Sequence, residues 1–202
     1  NKLNKPIKAV IHFAGLKSVS DSILDPINYW ENNVSGTINL CKIMEKYNCK
    51  NILFSSSATV YKSESNKLLS EDNICEPYNP YGCTKFTVER ILSDISNREL
   101  SEWRIVCLRY FNPVGAHKSG LIGENPLGKP NNIYPQLTRV AMGKQSKIKI
   151  FGSDWPTNDG TGVRDYIHVM DLAEGHLSVL NYLLKNKPQF KAINLGTGVG
   201  TS

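Results

Sequence analysis

The sequence predicts an α/β protein built on a mostly parallel sheet. Three observations carry this. Apolar runs of strand length, residues 8–14 (KAVIHFA), 51–57 (NILFSSS) and 103–111 (WRIVCLRYF), alternate with stretches of helical periodicity. The runs are continuously apolar at their centres, as expected of strands covered on both faces. The intervening stretches open on Pro26 and on Asn79-Pro80, where a helix tolerates proline best.

In chain order, residues 8–14 read as a buried strand that stops at Gly15. Pro26 opens a helix to about residue 48, with Ile27, Trp30, Val34, Ile38, Cys41, Ile43 and Met44 spaced along one face. Residues 51–57 are a second strand with a Ser-rich end, and 63–79 a polar loop. Pro80 stands where its missing N–H costs nothing, and its helix runs to about residue 100. Residues 103–111 are the third strand. Residues 112–132, rich in Gly, Pro and Asn, form a long loop of the kind that is usually functional. A helix (133–143), a short strand (147–151), a loop (153–162), an extended segment (163–169), a helix (171–185) and a strand (192–195) complete the order. Ligands of such sheets bind beyond the carboxyl ends of the strands, and Gly15, Ser57 and Asn112 follow three of them. NLGTGVG (194–200) also follows a strand. It lacks the opening helix of a phosphate loop and is read as a structural turn.

The chain has 202 residues, 40% hydrophobic and 21% charged, which fits an ordinary globular domain and excludes global disorder. No stretch approaches the ~18 apolar residues of a membrane-spanning helix. Residues 1–8 are polar and basic with no apolar region after them, so no secretory signal is expected in this chain. The net charge is +6. The lysines are scattered rather than clustered, which argues against nucleic acid and suits an anionic small substrate. The five cysteines, Cys41, Cys49, Cys75, Cys83 and Cys107, form no CxxC, and the four histidines are dispersed. This pattern reads as reduced thiols of the cytoplasm, with no disulfide framework and no metal site.

The chemistry centres on Tyr81-Gly82-Cys83-Thr84-Lys85. Tyr81 and Lys85, at i and i+4, share a helix face. A nearby ammonium favours phenolate, so Lys85 is expected to lower the Tyr81 pKa. Tyr81 then takes a proton from a substrate hydroxyl whose hydrogen bond Ser57 shares. A YxxxK spacing alone occurs often by chance. A strand end with Ser, followed by Tyr and Lys on the next helix, resembles the layout of short-chain dehydrogenase/reductase proteins.

The resemblance is closer than that. HFAGLKSV (12–19), NNVSGT (32–37), FSSSATVY (54–61), NPYGCTK (79–85), LRYFNPVGAH (108–117), PNNIYP (130–135) and DGTGVRDYIHVMDLA (159–173) resemble, block by block, the UDP-glucose 4-epimerase family of extended short-chain dehydrogenase/reductases. The resemblance implies a Rossmann-like parallel sheet with helices on both faces, plus an incomplete smaller substrate-binding portion. Residues 1–111 would be a partial NAD-binding domain. Residues 112–202 would be the substrate-binding portion interleaved with the last Rossmann elements. The implied reaction interconverts UDP-glucose and UDP-galactose by reversible oxidation at C4 with bound NAD. By this resemblance Tyr81 is the base, Lys85 its partner and Ser57 the catalytic serine. Phe13, Ala14, Gly15, Lys17, Asn32 (or its neighbour Asn33), Tyr110 and Phe111 match cofactor-contacting positions, together with Ser57, Tyr81 and Lys85. Asn112, Asn132, Lys149, Ile150, Phe151 and Arg164, with Ser57 and Tyr81, match positions around the UDP-sugar. Arg suits a diphosphate because its planar fork donates two parallel hydrogen bonds. The implied partner is a UDP-sugar, with no nucleic acid and no membrane. A homodimer of the full-length protein is left open.

Other readings stand beside this one. Phe13, Phe111 and Ile150 would serve as core residues in any fold, and Arg164 with Asp165 would make a simple ion pair. Nucleotide-sugar 4,6-dehydratases share the fold but carry Thr-Asp-Glu where this chain has Ser57-Ala58-Thr59. Ala58 and Thr59 cannot perform the proton transfers of elimination. Lys62 and Cys83 depart from the usual epimerase residues without touching a catalytic role. The family's opening βαβ unit with its glycine-rich turn, and its C-terminal stretch, have no counterpart in these 202 residues. The alternative function is therefore an inactive or binding-only fragment, and the chain by itself is expected neither to hold NAD nor to epimerise.

Overall fold

The computed structural model describes residues 5–62, 68–126, 130 and 132–202. Residues 1–4, the 63–67 part of the expected polar loop, and 127–129 and 131 of the expected long loop lie outside the described residues. The chain forms two compact units. One comprises Asn1–Tyr110 and Gly175–Leu195, the other Phe111–Glu174 and Gly196–Ser202.

The first unit is built on a parallel sheet of order β1-β2-β3-β6, from β1 (Val10–His12), β2 (Asn51–Ser57), β3 (Arg104–Tyr110) and β6 (Gln189–Leu195). Alternate residues of each strand face opposite sides. Ile52, Phe54, Ile105 and Cys107 pack with Val34, Cys41, Met44, Val88 and Leu92 on one side. Leu53, Val106 and Leu108 pack with Leu183 on the other. Both faces are thus covered, which explains why these strands read as continuous apolar runs. The register sets Ser57 beside Tyr110, Ser56 beside Arg109 and Ser55 beside Leu108 at the carboxyl ends of the two central strands.

The helix expected over 26–48 is one helical stretch in three parts: α2 (Pro26–Tyr29), a π-helical segment (Trp30–Ser35) and α3 (Gly36–Lys46). π-Segments widen the turn, and they recur at functional sites. A short α1 (Val19–Leu24), capped by the Ser18 side chain, precedes it. One turn and a half is too short to show helical periodicity in sequence. α4 (Pro80–Ser96) begins at Pro80 as the sequence predicts. The Asn79 side chain caps it by accepting from the Gly82 N–H at 2.8 Å.

The second unit holds a sheet of order β4-β5-β7, from β4 (Asn112–Val114), β5 (Arg164–His168) and β7 (Gly200–Thr201). β4 pairs parallel with β5, whereas β7 pairs antiparallel to it. It also holds α5 (Ile133–Ala141) and the first residues of α6 (Val169–Lys185). Three expectations are corrected. Residues 112–114 pair as a strand instead of opening a loop. Residues 147–151 form no strand, because they pair with no strand among the described residues, and Ile150 and Phe151 stand 72% and 83% exposed. β6 begins at Gln189, earlier than residue 192. Among the described residues no helix is long and apolar enough to cross a membrane.

Candidate active site

β2 ends in three serines, and each has a separate task. Ser57 stands in extended backbone and starts the 3-10 turn Ala58–Val60. Its Oγ accepts from the Thr59 N–H at 3.2 Å and from the Thr59 hydroxyl at 3.0 Å. The first turn of α4 lies against that turn. A Cβ on Gly82 would stand 2.7 Å from the Thr59 carbonyl oxygen and 3.0 Å from Pro77 Cβ, so only glycine permits this approach. The close approach brings Tyr81 to Ser57.

The Tyr81 phenol is pushed above its ordinary pKa chiefly by burial. A hydrogen bond with Ser57 pulls it down, and the Tyr29 phenol adds a small upward push. Lys85, one turn along α4, buries its side chain and donates from Nζ to the Ser55 carbonyl oxygen at 2.7 Å. Its Nζ lies 4.9 Å from the Phe54 ring centre and 5.8 Å from that of Tyr81. Burial pushes the Lys85 pKa down to about 8. This corrects the expectation that Lys85 lowers the Tyr81 pKa. The ammonium sits over the ring and is committed to a carbonyl, so burial decides both groups.

Asn33, in the π-helical segment, ties the loop after β1 to α4. Its Oδ1 accepts from the Leu16 N–H at 2.8 Å, and its Nδ2 donates to the Leu16 carbonyl at 3.1 Å and the Thr84 hydroxyl at 3.0 Å. Its neighbour Asn32 is placed differently. It is exposed and donates within its own helix to Asn28 at 2.7 Å, because neighbouring helical residues point some 100° apart. Gly15 adopts φ +153°, and a Cβ there would stand 3.0 Å from Asn33 Oδ1 and 3.8 Å from Lys85 Nζ. The loop at Phe13, Ala14, Gly15 and Lys17 is exposed, and Phe13 is 59% exposed rather than part of the core.

Two buried histidines border the site. The Thr37 hydroxyl gives its proton to the Asn33 carbonyl at 2.6 Å, so the His12 Nε2, 2.8 Å from the Thr37 hydroxyl oxygen, is the donor to it. Burial, then the Lys85 charge, lower the His12 pKa. The Tyr110 hydroxyl lies 2.5 Å from His176 Nε2, and the Phe13 ring lies 5.0 Å from the His176 ring. Burial raises the Tyr110 pKa, a hydrogen bond with Ser55 opposes this, and Tyr81 adds to it.

Within the first unit, then, Ser57, Tyr81, Lys85, Tyr110 and Gly15 converge. Sequence reasoning missed Ser55, Thr84, His12 and His176. Their signal was the polar residue at a strand end or on an apolar helix face, but their partners lie far away in sequence.

In the second unit the Asn112 Nδ2 donates to the Asp165 carbonyl at 3.1 Å. Asn132 is exposed and donates to Glu124 at 3.1 Å. Phe111 is half-buried, and a Cβ on Gly196 would meet its ring at 2.9 Å. Lys149 is exposed and, with Ile150 and Phe151, lies outside any helix or strand. Arg164 is exposed, and it donates to the Val163 carbonyl at 2.8 Å. It forms no pair with Asp165. That carboxylate accepts from the Thr197 N–H at 2.9 Å, the Thr197 hydroxyl at 2.8 Å and the Gly198 N–H at 2.8 Å. The glycine-rich turn is a nest filled by the chain's own carboxylate.

Residues 2–196 match the NAD dependent epimerase/dehydratase family. UDP-glucose 4-epimerase 2 of Arabidopsis thaliana is 53% identical over 194 residues, covering 96% of this chain and 55% of that protein. UDP-glucose 4-epimerase of Bacillus subtilis (strain 168) is 54% identical over 196 residues, covering 97% and 57%. The crystal structure of UDP-glucose 4-epimerase from Bifidobacterium longum, in complex with NAD+ and UDP, superposes with a TM-score of 0.92 at 48% identity, covering 98% and 58%. The chain thus spans a little over half the length of the relatives it matches.

Proposed function

Because the chain belongs to the NAD dependent epimerase/dehydratase family, we propose that it carries the catalytic core of a UDP-glucose 4-epimerase. The observation that carries this reading is the convergence of Ser57, Tyr81 and Lys85 at the carboxyl end of a parallel sheet. The residues fit NAD. The Gly15 cradle leaves room that a side chain would fill, and Asn33 and Lys85 border it on the same unit. Phe13, Ala14, Gly15, Lys17 and Tyr110 would line it, with Asn33 holding the loop. When bound, NAD supplies a hydride acceptor and donor at the sugar C4.

The chain's own groups handle the proton. Tyr81 Oη takes it from the 4-hydroxyl and gives it back on return. Ser57 Oγ, whose hydrogen bond favours the phenolate, shares the substrate hydroxyl. Lys85 keeps a positive charge near the Tyr81 ring and fixes the β2 end through the Ser55 carbonyl. Arg164, not neutralised by Asp165, and Asn112 would receive the diphosphate. Asn132, Lys149, Ile150 and Phe151 belong to the same substrate side. In this reading residues 1–111 are the cofactor part, and residues 112–202 are the substrate part interleaved with the last elements of the cofactor sheet. The five free thiols support a reducing compartment such as the cytoplasm. The experiment is direct: incubate the protein carrying this chain with UDP-glucose and separate UDP-galactose by chromatography. No conversion by the full-length protein would end the reading.

A further inference from the structure

The mechanism leaves unused the most deeply buried ion pair of the described residues. Glu89 on α4 and Arg109 on β3 have side chains only 3% and 6% exposed, with Arg109 Nη2 on Glu89 Oε2 at 2.7 Å and Nε on Oε1 at 3.1 Å. The Ser56 hydroxyl donates to Glu89 Oε1 at 2.5 Å. Ser56 and Arg109 are cross-strand neighbours, set between the Ser55–Leu108 and Ser57–Tyr110 pairs. Arg109 Nη1 donates onward to the Tyr61 hydroxyl at 2.8 Å, which donates to Asn194 Oδ1 at the end of β6 at 2.6 Å. Burial opposes the Arg109 charge, but Glu89 and then Tyr61 more than offset it, so the guanidinium stays charged. An ion pair this deep adds little stability over well-packed apolar residues. Its value lies in geometry, since a fork-to-fork pair fixes direction as well as distance.

Glu89 lies one turn beyond Lys85 and two turns beyond Tyr81 on α4, so all three fall on neighbouring faces of one helix. We propose that Glu89 is a positioning residue for the chemistry of this site: its carboxylate bolts α4 to the ends of β2 and β3 and so sets where Tyr81 and Lys85 stand relative to Ser57 and Tyr110. The proposal rests on the reading above and adds to it a residue with no contact to substrate. Sliding or rotating α4 breaks three hydrogen bonds to Glu89 at once, so the helix has one seat. Ser55, which carries Lys85, and Ser57, which meets Tyr81, are the immediate neighbours of the serine that Glu89 holds.

Glu89→Gln risks the fold, because it leaves a buried guanidinium unpaired. The deciding variants are therefore Ser56→Ala and Tyr61→Phe, each of which removes one hydroxyl, together with Glu89→Asp as the conservative change. In the protein carrying this chain, a misplaced α4 should lower kcat about tenfold while KM for UDP-glucose stays within about twofold. A second readout needs no turnover. The Lys85 ammonium titration, followed by NMR, should move upward in Ser56→Ala, because a looser seat lets water reach Nζ. Lower melting temperatures with unchanged kcat and an unchanged Lys85 midpoint in both variants would overturn the proposal and leave Glu89 as packing. Tyr81→Phe run in parallel separates the two failures. If that variant keeps full turnover, the functional reading falls. If it is inactive and the Ser56 and Tyr61 variants are normal, only the positioning role falls.

Discussion

Lys85 donates its ammonium proton to the Ser55 carbonyl at 2.7 Å, and this bond holds a buried charge at the end of a central strand. The position has a pH consequence. The folded pKa is lowered from 10.5 to about 8, so the unfolded chain binds more protons between these values. Stability therefore rises with pH across that window, is fully present above 10.5 and is lost as pH falls through about 8. The shift corresponds to a few kcal/mol, on the order of 3. Tyrosines raised by burial act oppositely at higher pH, so a difference is the proper measurement. Chemical denaturation of the wild type and of Lys85→Met at stepped pH from 7 to 10 should show the wild type gaining on the variant. A constant difference would mean that Lys85 is not buried as a charge.

Asn33 and its neighbour Asn32 make a second test. Asn33→Ala removes the partner of both Leu16 backbone groups and of Thr84, and should destabilise by about 1–3 kcal/mol. Asn32→Ala breaks only two exposed bonds to Asn28 within its helix and should stay within about 0.5 kcal/mol of wild type. Equal effects in thermal unfolding would contradict the separation of roles.

These two asparagines also mark what the sequence made legible. Tyr81, Lys85 and the Ser57 strand end were readable because their relationship is local: a helical spacing and the end of an apolar run. The central strands were readable because both faces are covered, so apolar residues run on without a break. β4 and β7, of 3 and 2 residues, are too short to show any period. The segment 147–151 carries the alternation of a strand, yet it pairs with no strand among the described residues and stays exposed. The choice of Asn33 over Asn32 depends on which way a helix faces after a π-turn. The Glu89–Arg109, Tyr110–His176 and Asn33–Thr84 contacts join residues 20, 66 and 51 positions apart, beyond what spacing reveals.

The turn at Thr197 and Gly198 carries a third prediction. Its N–H groups have the character of an anion nest but are already taken by the Asp165 carboxylate. They offer no seat to a pyrophosphate. The 202-residue chain, purified by itself, should therefore release no NAD on acid treatment, read by its absorbance after chromatography. Stoichiometric NAD would show that the loop at Gly15, with Lys85 beside it, grips the cofactor firmly without that nest. Asp165→Ala should free the nest and loosen β7 from β5, visible as faster amide exchange at Thr197 and Gly198.

The central claim is that the Tyr81 phenol moves the proton of the reacting hydroxyl. Tyr81→Phe, made in the protein carrying this chain, removes one oxygen beside Ser57 and leaves the ring and the Lys85–Ser55 bond in place. The measurement is the rate of UDP-galactose formation from UDP-glucose, set against UDP affinity by calorimetry. The account predicts kcat reduced by about 10²-fold or more with the UDP dissociation constant nearly unchanged. Turnover near the wild-type rate, or a loss confined to UDP affinity, would contradict it.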